Sequence, residues 1–111
     1  MTSRLLSADL RSAALSPEPL ASEDVVEGSP TTAARTIGTV GGVEVGAWEM
    51  SEGTARDTEV DEVFVVLSGH GTVTFSDGER LDLAPGVAVR LTAGERTEWT
   101  VTETLRKVWV A

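Results

Sequence analysis

From residue 36 onward, short segments of alternating apolar and polar residues are cut at near-regular intervals by glycine-containing turns, a pattern that predicts strands throughout. Segments 36–40 and 43–50 flank Gly41-Gly42, a hairpin signal because both glycines accept positive φ. Ser51-Glu52-Gly53 predicts a turn. Segment 58–67 holds the most apolar run, Val63-Phe64-Val65-Val66-Leu67, which predicts a strand buried on both faces. Ser68-Gly69-His70-Gly71 breaks or bulges it. Residues 72–75 alternate before a turn at Ser76-Asp77-Gly78, and 80–83 put Leu81 and Leu83 on one face. Ala84-Pro85-Gly86 predicts a type II turn, with Pro and Gly at its two central positions. Strands at 87–91, 97–102 and 105–110 follow, the first two separated by Ala93-Gly94. About ten short strands, with a turn every ~8–12 residues, predict an antiparallel sandwich or barrel.

Residues 1–36 read differently. Leu5, Leu6, Leu10 and Ala14 have a loose helical spacing that Ser16-Pro17-Glu18-Pro19 would end. Val25-Val26, within an acidic and polar stretch, predicts a short extended segment. The expected organisation is an N-terminal arm over 1–36, lying on the barrel or on a neighbouring subunit, and a β-barrel over 37–111.

With 111 residues, 41% of them apolar, the chain is expected to form one domain around one core. A net charge of −9 repels phosphate backbones and anionic lipid surfaces, so neither nucleic acid nor membrane is an expected partner. The absence of cysteine removes disulfides, zinc–thiolate sites and thiol catalysis. The N-terminal segment lacks the apolar core of a signal peptide, and no run approaches the ~20 apolar residues of a membrane span, so a cytoplasmic location is expected.

Several groups of residues, in this order and spacing, resemble a known family. They include Val26-Glu27-Gly28-Ser29-Pro30, Gly46-Ala47-Trp48-Glu49, Asp61-Glu62-Val63-Phe64 and Leu67-Ser68-Gly69. Leu83-Ala84-Pro85-Gly86, Ala93-Gly94, Trp99-Thr100-Val101 and Arg106-Lys107-Val108-Trp109 complete the set. Together they resemble a small single-domain cupin, and within that group the cupin domain of ureidoglycine aminohydrolases. The resemblance implies an all-β, jelly-roll-like double-stranded β-helix, usually dimeric, with a small-molecule pocket inside the barrel. It also implies a first motif of two histidines, a glutamate, and a glycine seven residues later. Glu62 and Gly69 match its second half. The histidine positions fall on Arg56 and Thr58, or on Ala55 and Asp57 in the alternative spacing, and the second motif's histidine falls on Thr97. Val87 replaces the aspartate that commonly follows Pro-Gly. A transition-metal site needs three or four converging donors. Glu62 with Asp57 or Glu59 would supply carboxylates alone, suited at best to weak Mg or Ca binding. The expectation is no metal and no cofactor.

Glu62 is the leading candidate for chemistry, because a carboxyl in an apolar pocket is the usual starting point for a general acid or base. Its alternative role is to pair with Arg56 or Arg90 and hold strands in register. Arg90 lies opposite Val87, Val89 and Leu91 on its strand: facing inward it would anchor an anion, and facing outward it is a solvated charge. Trp48, Trp99 and Trp109 are three of only five aromatic residues. Trp99 shares a strand face with Thr97 and is a candidate pocket wall, whereas Trp48 and Trp109 are assigned to packing. His70, between glycines, is expected at the surface; Glu95-Arg96-Thr97-Glu98 reads as a polar loop at the barrel mouth, and Arg106-Lys107 as a solvated turn or an ion pair.

The expected function is therefore binding of a small organic molecule around Glu62, Arg56, Thr58, Arg90, Thr97 and Trp99. Metal-independent acid–base chemistry by Glu62, such as isomerisation, elimination or cyclisation, is the expected reaction class if the protein is an enzyme. The alternatives are a metal-dependent ureidoglycine aminohydrolase-like enzyme and a non-enzymatic assembly or regulatory module. A homodimer, formed through sheet extension or the N-terminal arm, is expected.

Overall fold

The computed structural model describes residues 3–111. Nine strands account for most of them: β1 (Ser16–Glu18), β2 (Val25–Glu27), β3 (Thr32–Val40), β4 (Val43–Met50), β5 (Gly53–Thr58), β6 (Glu62–Phe75), β7 (Arg80–Leu83), β8 (Ala88–Leu91) and β9 (Arg96–Val110). A single 3-10 turn at Ser22–Asp24 is the one helical element among the described residues. The turn chemistry is as the sequence predicts. Gly41 and Gly42 have φ of 56° and 86°, and Val87 N–H donates to the Ala84 carbonyl across Pro85-Gly86 at 3.0 Å.

Every strand pair is antiparallel, and two long strands bind the whole together. The first part of β9 lies between β5 and the later part of β6, and its last part lies between β4 and the early part of β6. One sheet therefore runs β1-β3-β4-β9-β6-β8 and the other β2-β5-β9-β6-β7, with β6 and β9 bending from one into the other. Two expected pairs of strands, around 63–67 with 72–75 and 97–102 with 105–110, are thus single bent strands. The register of β6 against β9 slips three times between Val66 and Gly71. This bulge has a packing reason. Phe64 and Val66 face inward at even positions, Val73 and Phe75 at odd ones, and only an irregular count lets both halves present apolar side chains to one core. The run 63–67 is not buried on both faces: Phe64 and Val66 are buried, while Val63 is 45% exposed.

The bend explains the glycine seven residues after Glu62. Gly69 has φ of 88°, and a Cβ there would collide with the Thr104 carbonyl of β9. Between the sheets, Phe64, Val66, Val73, Leu91 and Leu105 are among the fully buried side chains. Burial of each such side chain contributes about 1.5–3 kcal/mol.

No helix forms over residues 5–14. The segment instead runs over the outer face of the first sheet, with Leu6 on Gly38. Its anchor is Arg106, whose Nη1 donates to the Leu10 and Ala13 carbonyls at 2.9 and 2.6 Å. The same guanidinium donates through Nε and Nη2 to Glu49 Oε1 at 3.1 and 3.0 Å. Beyond it, β1 pairs with β3 and β2 with β5, so residues 16–27 supply an edge strand to each sheet. The arm lies on the barrel of its own chain, and strand structure reaches back to Thr32, ahead of the expected boundary.

Candidate functional site

At one end of the barrel the inward faces of β4, β5, β6 and β9 stop being apolar. On β9 the inward row is Thr97, Trp99, Val101, Leu105, Lys107 and Trp109; on β4 it includes Gly46, Trp48 and Met50, set by the pairings Gly46 with Trp109, Trp48 with Lys107 and Met50 with Leu105. Gly46 is required here, because a Cβ would strike the Trp109 indole and the Arg35 carbonyl. Around these residues lies a cavity of about 420 Å³, with Trp48, Trp99, Trp109, Glu59, Glu62 and Lys107 in its wall.

Lys107 is the centre of the site. Its Nζ lies 2.7 Å from Glu62 Oε2, with the two side chains 6% and 11% exposed. The same ammonium sits 4.3 Å from the Phe64 ring centroid, 4.8 Å from that of Trp99 and 4.9 Å from that of Trp48. Aromatic faces carry negative electrostatic potential, so the three rings stabilise a cation that burial would otherwise penalise. Of the two roles expected for Arg106-Lys107, the ion pair holds and the solvated turn does not. Both residues are buried and both form ion pairs, one outside the barrel and one inside.

A second polar cluster adjoins the first. Glu59 is held by two backbone bonds to the turn after β8, from its N–H to the Glu95 carbonyl and from Gly94 N–H to its own carbonyl. Its Oε2 accepts from Thr97 Oγ1 at 2.6 Å and from Trp99 Nε1 at 3.1 Å. Burial pushes the Glu59 carboxyl above its ordinary value of 4.5, with the Asp57 charge adding to the effect and the Thr97 bond opposing it. Asp57 is likewise raised, first by desolvation, above 3.8.

This raised value has a consequence for stability against pH. The folded protein holds the Glu59 proton at pH values where the unfolded chain has released it, so the associated stability is full below pH 4.5 and is lost as pH rises through the folded value. Glu59→Gln keeps an oxygen acceptor for Thr97 and Trp99 and cannot ionise. Denaturant titrations from pH 4 to neutrality should show a shallower fall in stability for the variant than for the wild type. An identical pH dependence would show that Glu59 does not hold the proton.

The residues expected at the site separate into two groups. Glu62, Thr97 and Trp99 point inward and line or support the cavity. Glu62 pairs with Lys107 rather than with Arg56 or Arg90. Thr58 is exposed at the end of β5, in the cavity rim. Arg56 faces outward and lies 3.7 Å from Glu98 across the strand pair. Arg90 is exposed on the outer face of β8, beside Val63. The register explains the placement of Arg56: Ala55 and Asp57 pair with the inward Trp99 and Thr97, so the alternative spacing is the one that faces the lumen. Arg96-Thr97-Glu98 belongs to β9 rather than to a loop, and Thr97 is 4% exposed. His70 is at the surface as expected, 3.4 Å from Glu103.

The positions inherited from a metal-binding lumen do not fit a metal. Asp57 and Thr97 stand where histidines would, and among the described residues no three His, Cys, Asp or Glu side chains converge. The Glu62 carboxylate is already engaged by the Lys107 ammonium and is not free to serve as a ligand. The chemistry available to this chain's own residues is ion pairing, hydrogen bonding and proton transfer.

The geometry agrees with what is known of other proteins. The EutQ protein of Clostridium difficile superposes with a TM-score of 0.69 at 20% identity, over 94% of this chain and 83% of that one. A protein of unknown function from Rhizobium leguminosarum is 27% identical with a TM-score of 0.64, over 71% of this chain and 78% of its own. One of unknown function from Pseudomonas syringae reaches 0.77 at 20% identity, over 90% of this chain and 45% of its own. No curated protein matches the chain in sequence. The fold is the cupin β-barrel, as the resemblance implied. A family model for the EutQ-like cupin domain matches residues 38–109, and the chain belongs to that family.

Proposed function

We propose that this cupin domain binds a small polar organic molecule in the cavity beside Lys107, and that Glu62 and Lys107 are the groups that would move a proton on it without a metal. The observation that carries the reading is the pair itself, two charges almost wholly removed from solvent yet facing a cavity of about 420 Å³. Buried charge is costly to maintain, and replacing such a pair by apolar side chains is often neutral or stabilising, so retention in a cavity wall favours a role toward a ligand. A packed lumen would favour a purely structural module. The finer likeness to ureidoglycine aminohydrolases implies metal chemistry, which the Lys107 ammonium disfavours. The proposal includes a cytoplasmic homodimer that binds neither nucleic acid nor membrane.

A thermal-shift screen of small organic acids, amines and sugars tests the binding step. A ligand at 100 times its dissociation constant should stabilise the protein by about 2.7 kcal/mol. Ala34→Phe, which grows a ring into the cavity from β3, should abolish the shift. A shift unaffected by Ala34→Phe would place the ligand elsewhere. For any substrate found, Glu62→Gln should lower kcat by about 10²-fold or more; an unchanged rate would remove Glu62 from the chemistry.

A further inference from the structure

A second cavity, of about 220 Å³, adjoins the first, and the two share four lining residues: Glu18, Trp48, Asp57 and Trp99. Glu18 comes from the N-terminal arm, where its carbonyl accepts from Thr32 Oγ1 at 2.8 Å; among the described residues its carboxylate has no hydrogen-bond or ion-pair partner. Asp57 Oδ1 accepts from the N–H of its own neighbour Thr58 at 2.8 Å, and Oδ2 has no partner among the described residues. The two indoles stand 5.4 Å apart between centroids, tilted by 54°. Two exposed carboxylates, neither with a cationic partner among the described residues, and two tryptophans therefore line one space.

The wider charge balance points the same way. Besides Glu59, whose burial favours the protonated form, the larger cavity is lined by Glu18, Glu44, Asp57 and Glu62 and by one base, Lys107, which Glu62 already neutralises. The smaller adds Asp24 and Arg56, and Arg56 is engaged by Glu98. A carboxylate ligand would enter against uncompensated negative charge, while a cation would meet it. The protein already uses these rings for a cation, since Trp48 and Trp99 both contact the Lys107 ammonium.

We propose that the junction of the two cavities binds a small organic cation, an ammonium-bearing molecule whose charge sits between Glu18 and Asp57 against Trp48 and Trp99. Carboxylates with aromatic faces are the usual recognition chemistry for such a group. The inference rests on the reading that this cavity is a ligand pocket, and it fixes the charge class of the ligand.

Three probes of similar shape test it by calorimetry: choline, its neutral isostere 3,3-dimethylbutan-1-ol, and the anion 3,3-dimethylbutanoate. Choline should bind saturably, and the alcohol about tenfold more weakly or less, as loss of a cation–π contact and its charge partners requires. Asp57→Asn and Glu18→Gln should each weaken choline several-fold and leave the alcohol unchanged. Equal binding of choline and the alcohol, or tighter binding of the anion, overturns the cation; if Ala34→Phe abolishes that binding, the pocket itself stands. Silence of choline at millimolar concentration overturns the cation proposal outright, whatever the wider screen finds in the same cavity.

Discussion

Lys107→Met should destabilise the domain by about 3–5 kcal/mol, the cost of leaving one member of a buried ion pair without its partner. The ammonium is 2.7 Å from Glu62 and faces three aromatic rings, so the substitution removes the ion pair and the cation–π contacts together. A methionine fills nearly the same volume, which keeps cavity formation out of the comparison. The double variant Glu62→Met/Lys107→Met should regain most of that loss, because neither charge is then stranded. Urea denaturation of the wild type, the single and the double variants reads the difference directly. A double variant no more stable than the single would mean that Lys107 acts through its packing and that the pair carries no coupling. If the single variant does not fold, a folded double variant gives the same answer.

Gly69→Ala should cost about 2–5 kcal/mol, from roughly 1–2 for a side chain at positive φ and roughly 1–3 for overpacking. The overpacking part arises because the new Cβ meets the Thr104 backbone carbonyl, which no rotamer change can move. Gly41→Ala is the internal control. Gly41 also has positive φ, of 56°, but a Cβ there meets nothing within 4 Å, so only the backbone part applies. Equal losses at the two positions would show that the bend between the sheets tolerates a side chain, contrary to the close approach of β6 and β9.

The turns were legible in the sequence, and so was the shared face of Thr97 and Trp99. Glycine pairs and Pro-Gly act locally, so Gly41-Gly42 and Pro85-Gly86 lie in the turns their spacing predicts. Continuity across a bend is not local. The slip at Ser68–Gly71 restores inward parity after a run that looks interrupted, and nothing short of the β9 partner reveals that one strand persists through it. Lys107 was accessible in principle, since it sits two residues from both Leu105 and Trp109 on the inward face. Charge argued against that placement, and the compensation comes from Glu62, 45 residues away in sequence. Arg56 was misplaced by a single residue of register, which exchanges the two faces of a strand. For the N-terminal segment, apolar spacing suggested a helix, yet carbonyls held by Arg106 fix an extended path instead.

Strand β9 has a further consequence, for the order of assembly. It follows every other described strand in sequence and lies in the interior of both sheets, flanked by β4, β5 and β6. A growing polypeptide can therefore pair β3 with β4, or β6 with β7 and β8, as soon as those residues are made, but neither sheet has its centre until residues 96–110 arrive. Pairing over such separations closes long loops and is slow. Until then the inward faces of β4, β5 and β6 stay open, and this interval is when the domain is most exposed to mispairing and aggregation.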